Sequence, residues 1–136
     1  MQNPPPSLAG KSSTGLDENI AALLSYILGW VSGLIFFLIE KDSKLVRFHA
    51  MQSILFNVLV LIICFAGWIV TVVILLIAAS LADALGAISG ILAGLIWLVI
   101  GLSLLIAVIL CMVKAYQGQF FKLPVIGNIA EKIVNK

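Results

Sequence analysis

His49, Gln52, Ser53 and Asn57 are the residues of this chain whose types and spacing are suited to chemistry. They fall at i, i+3, i+4 and i+8, so a helix would carry all four on one face. A histidine four residues from a serine invites a nucleophile–base reading. That reading needs an acid to orient the imidazole, and no buried Asp or Glu is evident to do so. A metal reading fails similarly. His49 is the one histidine, and no cysteine, second histidine or carboxylate stands at helical ligand spacing. Two readings of the face stay open. It is a polar site at a membrane mouth, with Arg47 and Glu40 nearby, or it is polar glue between helices with an interfacial histidine. The plainer second reading is preferred, since Gln52 and Asn57 are too polar to face lipid and should hydrogen-bond a neighbouring helix. No catalytic residue, metal or cofactor is expected.

The elements that must position this face are set by the surrounding apolarity. The chain is 62% hydrophobic and 10% charged, with a mean hydropathy of +1.22. Soluble domains run near a quarter charged. Between Arg47 and Lys114 the one unambiguous charge is Asp83. Such a chain cannot coat itself with polar surface and belongs in a bilayer. Its net charge of +2 is too weak for a nucleic-acid surface, and no basic stripe with interleaved aromatics is present. Cys64 and Cys111 lie inside apolar runs and read as small core residues rather than a disulfide or metal site.

Residues 1–15, with Pro4, Pro5 and Pro6 followed by Ser12, Ser13, Thr14 and Gly15, read as a flexible polar tail. Residues 16–118 read as a transmembrane domain with three spans, about 20–39, 50–77 and 90–112. About twenty residues at 1.5 Å each match the roughly 30 Å hydrocarbon core. Three runs cannot close a barrel, so the spans must be helices. Asp42 or Ser43 is suited to cap the second helix. The small-residue stretch 78–89 reads as a connection, with loop, short interfacial helix and re-entrant element left open, and with Asp83 marking an interface, because a carboxylate is costly at the bilayer centre. Residues 119–136 form an amphipathic segment: Val125, Ile126, Ile129, Ala130, Ile133 and Val134 against Asn128, Glu131, Lys132 and Asn135. The expected fold is therefore an all-α integral membrane protein, a small bundle of three transmembrane helices plus a C-terminal amphipathic interfacial helix.

Three spans would put Lys11 on one side and Lys41, Lys44, Arg47, Lys114, Lys122, Lys132 and Lys136 on the other. Basic residues stay cytoplasmic, which predicts the N-terminus outside and the C-terminus in the cytoplasm. Ser25, Gly29 and Gly33, and again Gly86, Gly90 and Gly94, recur every four residues. This spacing suits close helix packing within the bundle or between protomers. Trp30, Trp68 and Trp97 would share a depth in the outer half, each packed between helices with its indole N–H on an acceptor. The expected partners are the lipid bilayer and either the protein itself or another membrane protein.

The string Val46-Arg47-Phe48-His49-Ala50-Met51-Gln52-Ser53-Ile54, preceded by Phe36-Phe37-Leu38-Ile39-Glu40, resembles a family of small prokaryotic membrane proteins of unknown function. So does Ala115-Tyr116-Gln117-Gly118, followed by Lys122-Leu123-Pro124-Val125-Ile126-Gly127. The likeness runs from about Gly15 to Lys132. The family is grouped with the Tic-twenty membrane subunit of the chloroplast inner-envelope import machinery, which implies a translocon-like role by analogy. The resemblance implies a home in the cytoplasmic membrane of a prokaryote. It also implies that Arg47, Phe48, His49, Gln52, Ser53, Tyr116 and Gly118 form a shared cytoplasmic-side feature.

Overall fold

A computed structural model describes residues 10–136, so the proline run of the tail lies outside the described residues. Five helices follow in order: α1 (Glu18–Leu24), α2 (Trp30–Ile39), α3 (Lys44–Leu81), α4 (Asp83–Tyr116) and α5 (Ile126–Val134). No β-strand occurs among the described residues. The chain divides into two compact units, which share α3 and α4. One holds the residues up to Leu59 with Val108–Lys136, the other Val60–Ala107.

Two helices, α3 and α4, are long and apolar enough to cross a membrane. The expected third one is broken. Residues 20–39 form two short helices separated by Ser25–Gly29. Gly29 sits at φ +61, a left-handed conformation that glycine adopts without a Cβ penalty. At 1.5 Å per residue α2 is about 15 Å long, half the hydrocarbon thickness. The connection expected over 78–89 is also corrected, since Ala82 alone separates α3 from α4. Asp83 occupies the first turn of α4, where the positive end of the helix dipole favours a carboxylate.

The smaller unit is an antiparallel pair of helix segments. Gly67 lets the Trp97 indole lie close: a Cβ there would stand 3.1 Å from the ring. Trp97 Nε1–H donates to Thr71 Oγ1 at 3.1 Å, the expected pairing for this tryptophan. Trp30 and Trp68 are exposed instead. Near the turn Gly86 faces Ala79, whose Cβ would be 3.0 Å from an added Cβ.

In the larger unit, the core joins Ala21, Ala22, Tyr26, Leu45, Val46, Cys111 and Ala115. Residues 10–15, expected to be part of a flexible tail, are tied down. The backbone N–H and Oγ of Ser13 both donate to the Glu40 carboxylate, at 2.8–3.1 Å. Ser43 caps α3, its Oγ accepting the Val46 N–H at 3.3 Å. The C-terminus of α4 ends in a Schellman turn. Gly118 at φ +71 lets its own N–H donate to Ala115 O and the Gln119 N–H donate to Lys114 O, each at 3.0 Å.

Candidate functional site

The polar face of α3 is buried at His49, Gln52 and Ser53 and half-buried at Asn57, and each member has a partner. His49, Gln52 and Ser53 are fully enclosed. The Schellman turn aims the Gln119 carbonyl at His49, with Nε2 to O at 2.8 Å. A carbonyl only accepts, so Nε2 carries the hydrogen and Nδ1 is the acceptor. Tyr26 O–H, 3.0 Å away, then donates to Nδ1. Gln52 Nε2–H donates to Tyr26 Oη at 3.1 Å and to Phe121 O at 3.0 Å. Gln52 Oε1 accepts the Leu123 N–H at 3.1 Å. One direction of every bond in this network follows from the fixed backbone groups at its ends.

The cluster thus draws on the α1–α2 turn, the start of α3 and the segment after α4. Phe48 walls it, edge-on to His49 with ring centroids 5.1 Å apart and to Phe120 at 5.5 Å. Cys111 is buried against it, 3.6 Å from Gln52 Nε2. Gly127 is an obligatory neighbour, because a Cβ there would stand 2.6 Å from Lys122 Cα and 2.9 Å from Gln52 Oε1.

Other residues of the expected site go elsewhere. Ser53 Oγ donates to Gly29 O at 3.0 Å, and Asn57 Nδ2 donates to Ser53 O at 2.8 Å. Arg47 reaches away from His49: its Nη1 donates to Glu40 O at 3.1 Å, and its guanidinium lies 4.9 Å from the Phe37 ring centroid. Tyr116 is exposed and does not join the cluster, whereas Gly118 builds the turn that serves it.

The glycine patterns are also resolved. Ser25, Gly29 and Gly33 do not share one helix face, since the first two lie in the break. Each still permits close approach. Gly33 rests on α3, where an added Cβ would meet Ala50 O at 2.9 Å, and Gly29 lies against Asn57. In the second triplet, contact fades along α4: Gly86 is tight, Gly90 meets Leu75 at 4.0 Å, and Gly94 has nothing within 4 Å.

The Glu40 carboxylate is a second buried polar centre. Burial alone would raise its pKa. The Ser43 N–H, the Ser13 N–H and hydroxyl and the Asp42 N–H outweigh that and hold it below the usual value. Tyr26 and Gln119 are the participants in the His49 cluster that spacing along α3 could not reveal. Among the described residues, no group of three or more His, Cys, Asp or Glu is placed to hold a metal. Both ring nitrogens of His49 are engaged and the ring is enclosed, so the arrangement joins three chain segments.

The magnetosome magnetite crystal formation protein family matches the chain over residues 16–130. A UPF0132 membrane protein of Methanocaldococcus jannaschii is 42% identical over 127 residues, covering 90% of this chain and 94% of its own. One from Archaeoglobus fulgidus is 40% identical over 118 residues, covering 86% and 95%. No solved structure matches significantly.

Proposed function

We propose a function from one premise: the chain belongs to the magnetosome magnetite crystal formation protein family, and its archaeal relatives are membrane proteins. It works without catalysis, as an integral membrane protein that packs its crossing helices against itself or against another membrane protein. The observation that carries this reading is the apolar surface of α3 and α4. Leu76, Leu81, Ile91, Leu95, Ile96 and Val99 are exposed along them, and Gly94 and Gly101 meet nothing within 4 Å. Exposed leucine and isoleucine suit lipid, and open glycines admit the backbone of another helix.

Two crossings replace the three first expected. Parity then brings both chain ends to one side, with Ala82 on the other. All eight basic residues fall on the side of the ends, from Lys11 through Lys136, and Asp83 alone marks the turn. Basic residues are retained in the cytoplasm, so both ends are cytoplasmic and the N-terminus-out expectation is withdrawn. The host is the cytoplasmic membrane of a prokaryote. The amphipathic α5, with Val125 just before it, keeps Val125, Ile129 and Ile133 exposed beside Lys122 and Lys132, a pattern suited to the inner surface.

The translocation reading implied by the Tic-twenty resemblance needs water along the Gln52/Asn57 face. That face is spent on internal hydrogen bonds, which argues against it. A role for His49 in catalysis is disfavoured on the same ground. Magnetite crystal formation, the role for which the family is known, is not needed for this reading.

Crosslinking in native membranes tests the proposal. An adduct larger than the monomer is expected, and Gly94→Leu or Gly101→Leu should weaken it. A solely monomeric signal that neither substitution alters would contradict the packing role.

A further inference from the structure

The first apolar run has a shape that neither a span nor a surface helix requires. We infer that α1, the Ser25–Gly29 turn and α2 form a re-entrant hairpin. It dips into the cytoplasmic leaflet, meets lipid acyl chains at its tip and returns without crossing. This rests on the reading that α3 crosses the bilayer.

The two ends of the hairpin meet at a polar base. Glu18, which opens α1, accepts from Ser43 Oγ at 2.7 Å. Glu40, which closes α2, is bound by Ser13 just before α1. Between Glu18 and Glu40 no charged residue occurs. At the opposite end, Ile27, Leu28 and Trp30 are exposed by 53%, 67% and 55%. Charge is thus confined to the base, while bare apolar side chains run from the tip down to Leu38 and Ile39, 66% and 46% exposed. A helix lying on the membrane surface would be polarised around its axis instead.

The tip is also finished for a solvent that offers no hydrogen bonds. Irregular backbone survives at membrane depth only where its polar groups are satisfied by protein or cavity water. All five N–H groups of the turn have protein acceptors. Ser25, Tyr26, Ile27 and Gly29 donate to the carbonyls of Ala21, Leu23, Leu24 and Tyr26, at 3.1–3.2 Å. Leu28 N–H donates to Ser32 Oγ at 3.1 Å. Ser32 Oγ–H reaches Ser25 O at 3.0 Å, and Ser53 Oγ–H reaches Gly29 O at 3.0 Å. The serines perform the role that water would take in an exposed turn.

Depth agrees. At 1.5 Å per residue α1 and α2 rise about 10 and 15 Å, within one half of a roughly 30 Å core. Gly29 lies against Asn57 of α3. The next α3 residues, Val58 and Leu59, are exposed apolar side chains. The tip is thus continuous with the lipid-facing surface of a crossing helix, and acyl chains are the occupant that covers both.

Single cysteines test this in membranes. In a Cys64→Ala, Cys111→Ser background, Lys11→Cys, Leu28→Cys, Lys41→Cys and Asp83→Cys are each exposed to a membrane-impermeant maleimide from either side. Lys11→Cys and Lys41→Cys should label from one side, Asp83→Cys from the other, and Leu28→Cys from neither. A second measurement leaves both cysteines untouched. With Trp68→Phe and Trp97→Phe, Trp30 fluorescence should be quenched several-fold more by lipids brominated along the acyl chain than by aqueous acrylamide. Labelling of Lys11→Cys and Lys41→Cys from opposite sides would overturn the hairpin while sparing the α3–α4 crossings. Asp83→Cys labelling with Lys41→Cys would remove the crossings, and the hairpin with them. Trp30 insensitive to brominated lipid would show a tip covered by a second copy or another protein, and would overturn the lipid assignment.

Discussion

Tyr26 Oη lies 3.0 Å from His49 Nδ1, bridging the turn after α1 to the first turns of α3. The contact fixes the neutral histidine as the Nε2–H tautomer, because Gln119 O takes the other nitrogen. Tyr26 is a donor to His49 and an acceptor for Gln52 at once. Losing its hydroxyl strands two buried partners.

Tyr26→Phe should therefore destabilise the protein by about 1–3 kcal/mol, the usual cost of an unsatisfied buried polar group. Gln52→Leu should cost at least as much, since it orphans the Leu123 N–H and Phe121 carbonyl together. Thermal unfolding in mild detergent measures both. Wild-type stability in either variant would mean that the network contributes nothing.

Glu40 gives the protein an acid-sensitive joint. Its folded pKa is lowered from 4.5, so the folded state binds its proton less readily than the unfolded chain does. The stabilisation is present above pH 4.5 and is lost as pH falls through the lowered folded value. Acid titration of stability should show a falling limb below pH 4.5 that is shallower in Glu40→Gln. Identical limbs would contradict the role given to the Ser13 and Ser43 donors.

Glycines should divide by what surrounds them. Gly127→Ala drives a Cβ to 2.6 Å from Lys122 Cα, and overpacking of this kind costs about 1–3 kcal/mol. Gly94→Ala meets open space and should leave folding unchanged or slightly improve it, since alanine favours helix. Comparing the two unfolding midpoints checks the pair; equal losses would refute the packing described for Gly127.

Ser43→Ala removes the cap of α3 and the Glu18 partner together. A lost N-cap costs about 0.5–2 kcal/mol. Hydrogen exchange should rise first in the opening turn of α3. Unchanged protection at Val46 would argue against the cap.

The sequence announced the polar stripe of α3 because helical spacing places His49, Gln52, Ser53 and Asn57 together whatever surrounds them. The cap at Ser43 was equally local. The stripe's partners were not legible, since Gln119 and Phe121 are 70 and 69 residues from His49 and Gln52. The break in the first apolar run was hidden for a different reason. Composition over 20–39 is apolar apart from Ser25, Tyr26 and Ser32, and serines are tolerated inside a span, so nothing in it reveals that Ser32 and Ser53 hydroxyls replace helical bonds around Gly29. The 78–89 stretch was legible only as a connection, with loop, interfacial helix and re-entrant element all open; small residues such as Ala79 and Gly86 are what let two helices turn on one residue.

The central claim is that the chain crosses the bilayer twice, with α1 and α2 turning back on themselves. Compartment-sensitive reporters fused separately to the N- and C-terminus measure this most directly. The account predicts that both report the cytoplasm. Reporters on opposite sides of the membrane would contradict it.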